Sequence, residues 1–244
     1  MSLRSHGSFY LRDKNTPGNA RIAIPPGTGL RIVGDVHGDA HGFAAALATG
    51  RFVIQLGDLI DHGPGSADVL GLMLARLSAG SGLFLLGNHE FKLARALAGR
   101  QVRVPPALLE TLAALDGTLR DQVLTAIGAA PAWLRVGRSF FVHGAFHTGM
   151  LAEPPLPMPL TGRVPPLLAR ALYGQTTGRM QPDGYPERTR DWLRLIPEGL
   201  TVYCGHDCLS TNGHPVVSRN EAGGTAVFLD TGAGKGGHLS WIDI

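Results

Sequence analysis

Three short apolar runs, each closing on a glycine and then on a polar cluster, constrain this chain more than any other feature. Leu30-Arg31-Ile32-Val33 leads into Gly34-Asp35-Val36-His37-Gly38. Phe52 to Leu56 leads into Gly57-Asp58-Leu59-Ile60-Asp61-His62-Gly63, and Leu83 to Leu86 into Gly87-Asn88-His89-Glu90. The stretches after them carry helical spacing, from Ala40 to Ala48, from about Ser66 to Leu77 and from about Glu90 to Ala98. Short β-type runs alternating with helices of this length imply βαβ units and a parallel sheet. Residues just past the carboxyl ends of such strands converge, so the three clusters are expected to meet.

Downstream the pattern changes. Pro105 to Ile127 has the spacing of one or two outer helices, and Trp133 to Val136 with Ser139 to Val142 flank Gly137-Arg138 as a hairpin would. Residues 151–166 are Pro-rich and read as a loop, and Val164 to Leu172 as a helix. Residues 173–197 are rich in Gly, Pro and Arg, a candidate substrate loop or lid. Leu200 to Cys204, Val216-Val217, Thr225 to Leu229 and Leu239 to Ile242 read as further strands. With no repeat and no linker, residues 1–244 are expected to form one α/β domain, a β-sandwich core with helices outside, preceded by a tail or edge segment over residues 1–28.

Composition narrows the class. Hydrophobic residues make up 44% of the chain and charged residues 17%, enough for a buried core and too little charge for disorder. A net charge of +3, with no basic stripe, gives no footprint for a stable nucleic-acid partner. No signal-peptide h-region and no membrane-length apolar stretch is present, so a cytoplasmic protein without a membrane partner is expected. Cys204 and Cys208 do not make a disulfide framework.

The chemistry lies in the clusters, to which His143-Gly144 and Gly205-His206-Asp207 belong, since they too follow apolar runs. Asp35 and His37 would share one face at a strand end, and together can bind a divalent ion. Asp58 can bridge two ions, one per oxygen; Asn88 offers an amide oxygen; His143 and His206 can complete a second site. Oxygen and nitrogen ligation without thiolate suits Mn, Fe, Zn, Co or Ni. With Asn88 turned to metal, His89 is free to face a leaving group as general acid, a role typically worth ~10²–10⁴-fold in rate. Either Asp61 or Glu90 could orient it and favour its protonated form. A lone Asp beside Gly is ordinarily a turn residue; the ordered series is what argues for a metal pair. His6, His41, His147, His214 and His238 lack such a setting and read as structural or solvent-facing. Cys204 and Cys208 bracket His206, but without a second Cys pair a thiolate zinc site is disfavoured.

These motifs resemble those of the calcineurin-like metallophosphoesterases, in particular the phosphoprotein phosphatase branch with its Gly-Asp-x-His-Gly, Gly-Asp-x-x-Asp-Arg-Gly and Gly-Asn-His-Glu patterns. A narrower likeness lies in Lys92-Leu93-x-Arg95, Tyr173-Gly174-Gln175-Thr176-Thr177-Gly178 and Asp230-Thr231-Gly232. These are similar to the phosphatase domain of bacterial polynucleotide kinase-phosphatase and to stand-alone bacterial Ser/Thr phosphatases. The resemblance implies a four-layer α/β/β/α sandwich with two mixed β-sheets. It implies two divalent metal ions, Mn first, with Asp35, His37 and the bridging Asp58 on one and Asn88, His143 and His206 on the other. It makes Asp61 the orienter of His89 and puts Asp230 behind the metal-binding histidines.

Two positions depart from the family pattern. His62 stands where the family has a phosphate-clamping Arg, and imidazole gives at most one charged donor where guanidinium gives a permanent fork. Either His62 serves weakly, or Arg188 or Arg179 replaces it. Asp207 stands where the family has Thr. The expected reaction is hydrolysis of a phosphomonoester by water activated between two ions. The substrate partner would be a phosphorylated small molecule, a phosphoprotein, or a nucleotide or RNA end. A dinucleoside tetraphosphatase or 2′,3′-cyclic phosphodiesterase is the enzymatic alternative, and a metal-binding regulatory scaffold the non-enzymatic one.

Overall fold

The computed structural model describes residues 24, 27–155, 158–182 and 184–244, so the tail expected over residues 1–28 lies almost wholly outside the described residues. In chain order the strands are β1 (Leu30–Val33), β2 (Phe52–Gln55), β3 (Gly82–Phe84), β4 (Trp133–Val136), β5 (Ser139–Val142), β6 (Gln175–Met180), β7 (Pro186–Thr189), β8 (Thr201–Cys204), β9 (Val216–Arg219), β10 (Thr225–Phe228) and β11 (Trp241–Asp243). The helices are α1 (Ala40–Leu47), α2 (Ser66–Ser78), α3 (Asn88–Leu97), α4 (Pro106–Ala114), α5 (Gly117–Ala129) and α6 (Pro166–Tyr173).

Two sheets stack face to face. In one, of order β11-β1-β2-β3, the last three strands are parallel and β11 joins antiparallel at the edge. In the other, of order β4-β5-β8-β10-β9, the middle three are parallel and both edges antiparallel. Alternation along the strands sorts the side chains into layers. Ile32, Ile54 and Leu83 meet Phe141, Tyr203 and Val227 between the sheets, where Phe141 stacks on Tyr203 at 5.2 Å. Val33, Val53 and Phe84 point the other way, into a core with Phe43 of α1 and Met73 of α2. Phe140, Val202 and Phe228 likewise turn outward to Leu168 and Leu172 of α6 and to Trp192. The sequence is legible as strands because residues buried on both faces make continuous apolar runs. The result is the expected α/β/β/α arrangement.

Two boundaries differ from expectation for identifiable reasons. Helix α3 starts at Asn88, two residues early, because the Glu90 carboxylate reaches back to the Gly87 amide at 3.2 Å and caps the first turn. Residues 173–197 are not an open loop: β6 and β7 pair as a hairpin, with a short 3₁₀ turn at Asp191–Leu195 behind it. Gly178, at φ 85°, lies within the stretch where the register shifts, and Gly184, at φ 81°, in the turn; the glycines that read as loop are the hairpin's bulge and bend. Among the described residues no helix is long and apolar enough to cross a membrane.

Candidate metal centre

All six strands that run parallel to a neighbour end in one polar cluster. Just past β1, β2 and β3 come Asp35 and His37, Asp58, and Asn88 and His89; just past β5, β8 and β10 come His143, His206 and Asp230. The antiparallel edge strands β4, β9 and β11 bring none of these residues.

Asp58 is the hub. Its Oδ2 lies 3.7 Å from His37 Nε2, 3.3 Å from His143 Nε2 and 3.8 Å from His89 Nε2. Its Oδ1 accepts the His89 amide at 3.0 Å. Oδ2 is thus the oxygen nearest the three rings. His37 Nδ1 is 3.0 Å from the Ile60 carbonyl, and His143 Nδ1 is 3.0 Å from that of Leu56. In a neutral ring each Nδ1–H donates there, which leaves the Nε2 lone pair aimed inward. His143 Nε2 then faces Asn88 Oδ1 at 3.0 Å, acceptor against acceptor. His37 Nε2, His206 Nε2 and Asp230 Oδ2 are buried with no hydrogen-bond partner.

Orphaned buried acceptors are costly, about 1–3 kcal/mol each, and rare. Cations between these side chains would satisfy the two histidine nitrogens and separate the facing acceptors of His143 and Asn88. Asp35, His37 and Asp58 form one candidate metal-holding group and Asp58, His143 and His206 another; within each, the ligand atoms lie within 4.8 Å of one another, and Asp58 belongs to both. The donor set thus fits a pair of divalent ions.

The electrostatics agree. Burial, together with the Asp230 and Asp58 carboxylates, pushes Asp35 well above the ordinary carboxylate range, so ionised Asp35 needs a positive neighbour. Burial holds His37 down at about 3, and burial with His143 and Arg188 holds His206 well below its usual value. Both rings stay neutral, which is the ligating form. Burial opposes ionisation of Asp58, but His143 and His89 prevail and hold its carboxyl well below normal.

Backbone strain concentrates in the same place. The described non-glycine residues with positive φ are His37, Asp58, Asp61, His62 and His206, at 45° to 69°. Such conformations cost about 1–3 kcal/mol each and persist where surrounding structure enforces them. Close approach does so here. A Cβ on Gly205 would strike Asp35 Oδ1, and one on Gly234 would strike the His37 carbonyl.

His89 Nδ1 pairs with Asp61 Oδ2 at 2.6 Å, and Thr111 Oγ1 donates to the other Asp61 oxygen at 2.8 Å. Burial alone would lower the His89 pKa, but Asp58 and Asp61 raise it above its ordinary value, which favours the protonated ring. Its side chain is 15% exposed, open to a ligand. Glu90, the other candidate partner, does a different job: its carboxylate accepts the Asp58 and Leu59 amides at 2.7 and 2.8 Å and fixes the strained turn.

His62 packs edge-on against His37, with ring centroids 4.8 Å apart, and burial with Lys235 and His89 lowers its pKa, so it is a neutral ring rather than a cationic clamp. Arg188 Nη1 lies 3.3 Å from the His206 carbonyl, next to the cluster, whereas Arg179 is engaged by Glu187 at 2.7 Å on the hairpin's exposed surface. Asp230 accepts the Gly232 amide at 3.0 Å and acts on Asp35; among the described residues it has no hydrogen bond to a histidine, so it supports the carboxylate side of the cluster.

Sequence reasoning passed over Lys235 and Thr111. Lys235 follows Gly234 in the loop that packs on His37, and its charge acts on Asp35, His37, His62 and His206. The available signal was a lone Lys inside a run of glycines, in a chain whose other lysines are Lys14 and Lys92. Thr111 carried no signal, since it reaches Asp61 from α4, fifty residues away.

Known proteins share this framework. The bis(5′-nucleosyl)-tetraphosphatase PrpE (asymmetrical) of Anoxybacillus flavithermus is 28% identical over 232 residues, covering 86% of this chain and 87% of its own. The protein of the same name from Bacillus subtilis is 30% identical over 200 residues, covering 78% and 75%. Among solved structures, one provisionally described as a diadenosine tetraphosphatase superposes with a TM-score of 0.58 at 19% identity, covering 91% of each chain. A Saccharomyces cerevisiae protein serine/threonine phosphatase superposes at 0.55 and 14%, covering 87% and 71%. The calcineurin-like phosphoesterase family model matches residues 30–208, from β1 through the His206 loop. This chain therefore belongs to the calcineurin-like phosphoesterases and is a phosphoric ester hydrolase.

Proposed function

We propose that the protein hydrolyses dinucleoside tetraphosphates asymmetrically, adding one water across a P–O–P linkage to release a nucleoside triphosphate and a nucleoside monophosphate. The observation that carries this reading is the similarity to tetraphosphatases along nearly the whole chain, 86% of it in the first comparison above. It reverses the order suggested by the motifs, which put phosphomonoesters first.

Asp35, His37 and Asp58 would hold one divalent ion, and Asp58, Asn88, His143 and His206 the other. Such ions supply Lewis acidity toward phosphate oxygens and activate water. The chain's own groups do the rest. His89, kept protonated by Asp58 and Asp61, stands ready to give a proton to the departing oxygen. Thr111 and Asp61 hold the ring in place. Lys235 and Arg188 supply the permanent positive charge that His62 does not, Arg188 from beside the His206 carbonyl. The hairpin β6–β7, tied to the His206 carbonyl through Arg188, would be the wall against which substrate lies.

The test is to incubate the protein with diadenosine tetraphosphate and Mn²⁺ and separate the nucleotides formed. ATP and AMP in equal amounts are expected, and chelator abolishes both. Two equivalents of ADP, or intact substrate, would overturn the proposal. A monoesterase reading retains one specific support: a protonated His89 benefits an alkoxide leaving group more than a phosphate one. A parallel assay on a phosphoserine peptide decides between the two.

A further inference from the structure

The hairpin is tied to the candidate centre at two points. Arg188 Nη1 donates to the His206 carbonyl at 3.3 Å. Arg190 grips Asp207 through Nε at 2.6 Å and Nη2 at 3.1 Å. Asp207 replaces the Thr of the related motif, so the chain departs from that pattern at the residue that anchors its hairpin.

Beside the anchored hairpin lies an open groove of about 500 Å³, lined by Gln181, Tyr185, Glu187, Arg188, Arg190 and Asp207 among others. A narrower cleft lined by Gly144, Gly174 and His206 shares Arg188 and Asp207 with it. The groove therefore lies beside the His206 loop, next to the candidate metal centre. Its volume lies in the range of small-molecule sites, and its lining combines the elements that recognise a nucleotide. Tyr185 is 67% exposed and offers an aromatic face. Arg188 lines the groove and reaches the His206 carbonyl at 3.3 Å, a fork of cationic donors on the side of the groove nearest the centre. Gln181 and Glu187 supply an amide and a carboxylate for base edges or ribose hydroxyls, and Glu187 is already fixed by Thr177 at 2.5 Å and by Arg179.

We infer that this groove is the subsite for the nucleoside at the far end of the phosphate chain, with its base stacked on Tyr185 and the chain crossing Arg188. The inference rests on the dinucleoside reading above and extends it to a place. A substrate with no distal nucleoside leaves the groove unfilled and draws no binding from it.

The experiment has two readouts: the ratio of kcat/KM for diadenosine tetraphosphate to that for p-nitrophenyl phosphate, and calorimetric binding of a methylene-bridged diadenosine tetraphosphate. Base–aromatic stacking of ordinary strength predicts that Tyr185→Ala lowers the ratio about tenfold, through KM, and weakens analogue binding by a similar factor. Tyr185→Phe, which keeps the ring, retains the wild-type ratio. An unchanged ratio in Tyr185→Ala, or an equal loss in Tyr185→Phe, overturns the subsite. Hydrolysis of p-nitrophenyl phosphate reports that each variant is folded. If the wild-type enzyme leaves diadenosine tetraphosphate intact, the dinucleoside reading fails and the subsite with it. If it cleaves the substrate but the ratio ignores Tyr185, the subsite alone fails.

Discussion

Different forces hold Asp58, at the end of β2, and Arg188, on β7. Asp58 is 2% exposed, sits at φ 58°, and is fixed by amides, by imidazoles and by the Glu90 carboxylate beneath its loop. Arg188 is exposed and is held by a carbonyl and by its neighbour's ion pair. The sheets carry the reacting groups on backbone that cannot move without breaking the core. The hairpin, proposed above to carry recognition, is largely exposed and lies outside that core. Chemistry and substrate choice can therefore vary independently, as is usual where loops decorate a rigid scaffold.

That contrast predicts a gradient of effects, steepest at the sheets. Asp58→Ala removes the carboxylate shared by two of the three candidate metal-holding groups, and kcat should fall by ~10³-fold or more, because charge stabilisation is usually the largest catalytic term. Metal content measured on the same protein should fall with it; full metal occupancy with near-normal kcat would break the assignment. His89→Ala should cost ~10²–10⁴-fold on a phosphoserine peptide, and less on diadenosine tetraphosphate, whose phosphate leaving group departs more readily without a proton. Equal losses on the two substrates would show that His89 contributes something other than the proton.

The proton itself can be followed by pH. The His89 pKa is raised above 6.5, since Asp58 and Asp61 outweigh the opposing effect of burial. A general acid works only while protonated, so kcat should decline as pH rises through that raised value. Asp61→Asn removes one source of the elevation, and the alkaline limb of the kcat profile should move to lower pH. A limb that stays in place would mean that Asp61 orients the ring without holding its charge.

What could be read from sequence follows the same division. The convergence of Asp35, His37, Asp58, Asn88, His143 and His206 was legible because strand ends carry short-range signals: an apolar run, then a polar side chain with a glycine beside it. Even Asp61 as partner of His89 was within reach, since both lie beside those ends. The two-layer sheet packing was legible in the buried runs of β2 and β8 for the same reason. The hairpin was not. Its strands are exposed, so they lack the apolar alternation that marks a strand, and its glycines looked like loop rather than bulge and turn. Thr111 and Lys235 were missed because their placement depends on how α4 and the 232–237 loop fold back over residues far away in the chain, which no local spacing records.

Lys235 lies between the two regions in character, exposed like the hairpin but carried by a loop packed on His37. Lys235→Ala should raise KM for phosphate substrates about tenfold, the strength of a charge-assisted phosphate contact, with a smaller change in kcat. His62→Arg in that background should recover part of the loss, because it restores a cation beside the cluster. No change in KM for Lys235→Ala would place the phosphate-binding charge on Arg188 alone.

The smallest effect tests the hairpin's anchor. Arg190 and Asp207 are 47% and 22% exposed, so their pair is worth no more than an exposed ion pair, ~0.2–1 kcal/mol, despite its two-point geometry. That corresponds to a change of about one- to fivefold. If the pair's work is to hold the hairpin beside His206, Arg190→Ala and Asp207→Thr should each raise KM for diadenosine tetraphosphate by that small factor, and the double variant should do no worse than either. High salt should shrink the difference between wild type and variants, because it screens an exposed pair. Effects that multiply in the double variant would mean that Arg190 and Asp207 act separately on substrate. The hairpin would then be part of the binding chemistry in its own right, and the division between a rigid reacting centre and an adjustable wall would no longer describe this enzyme.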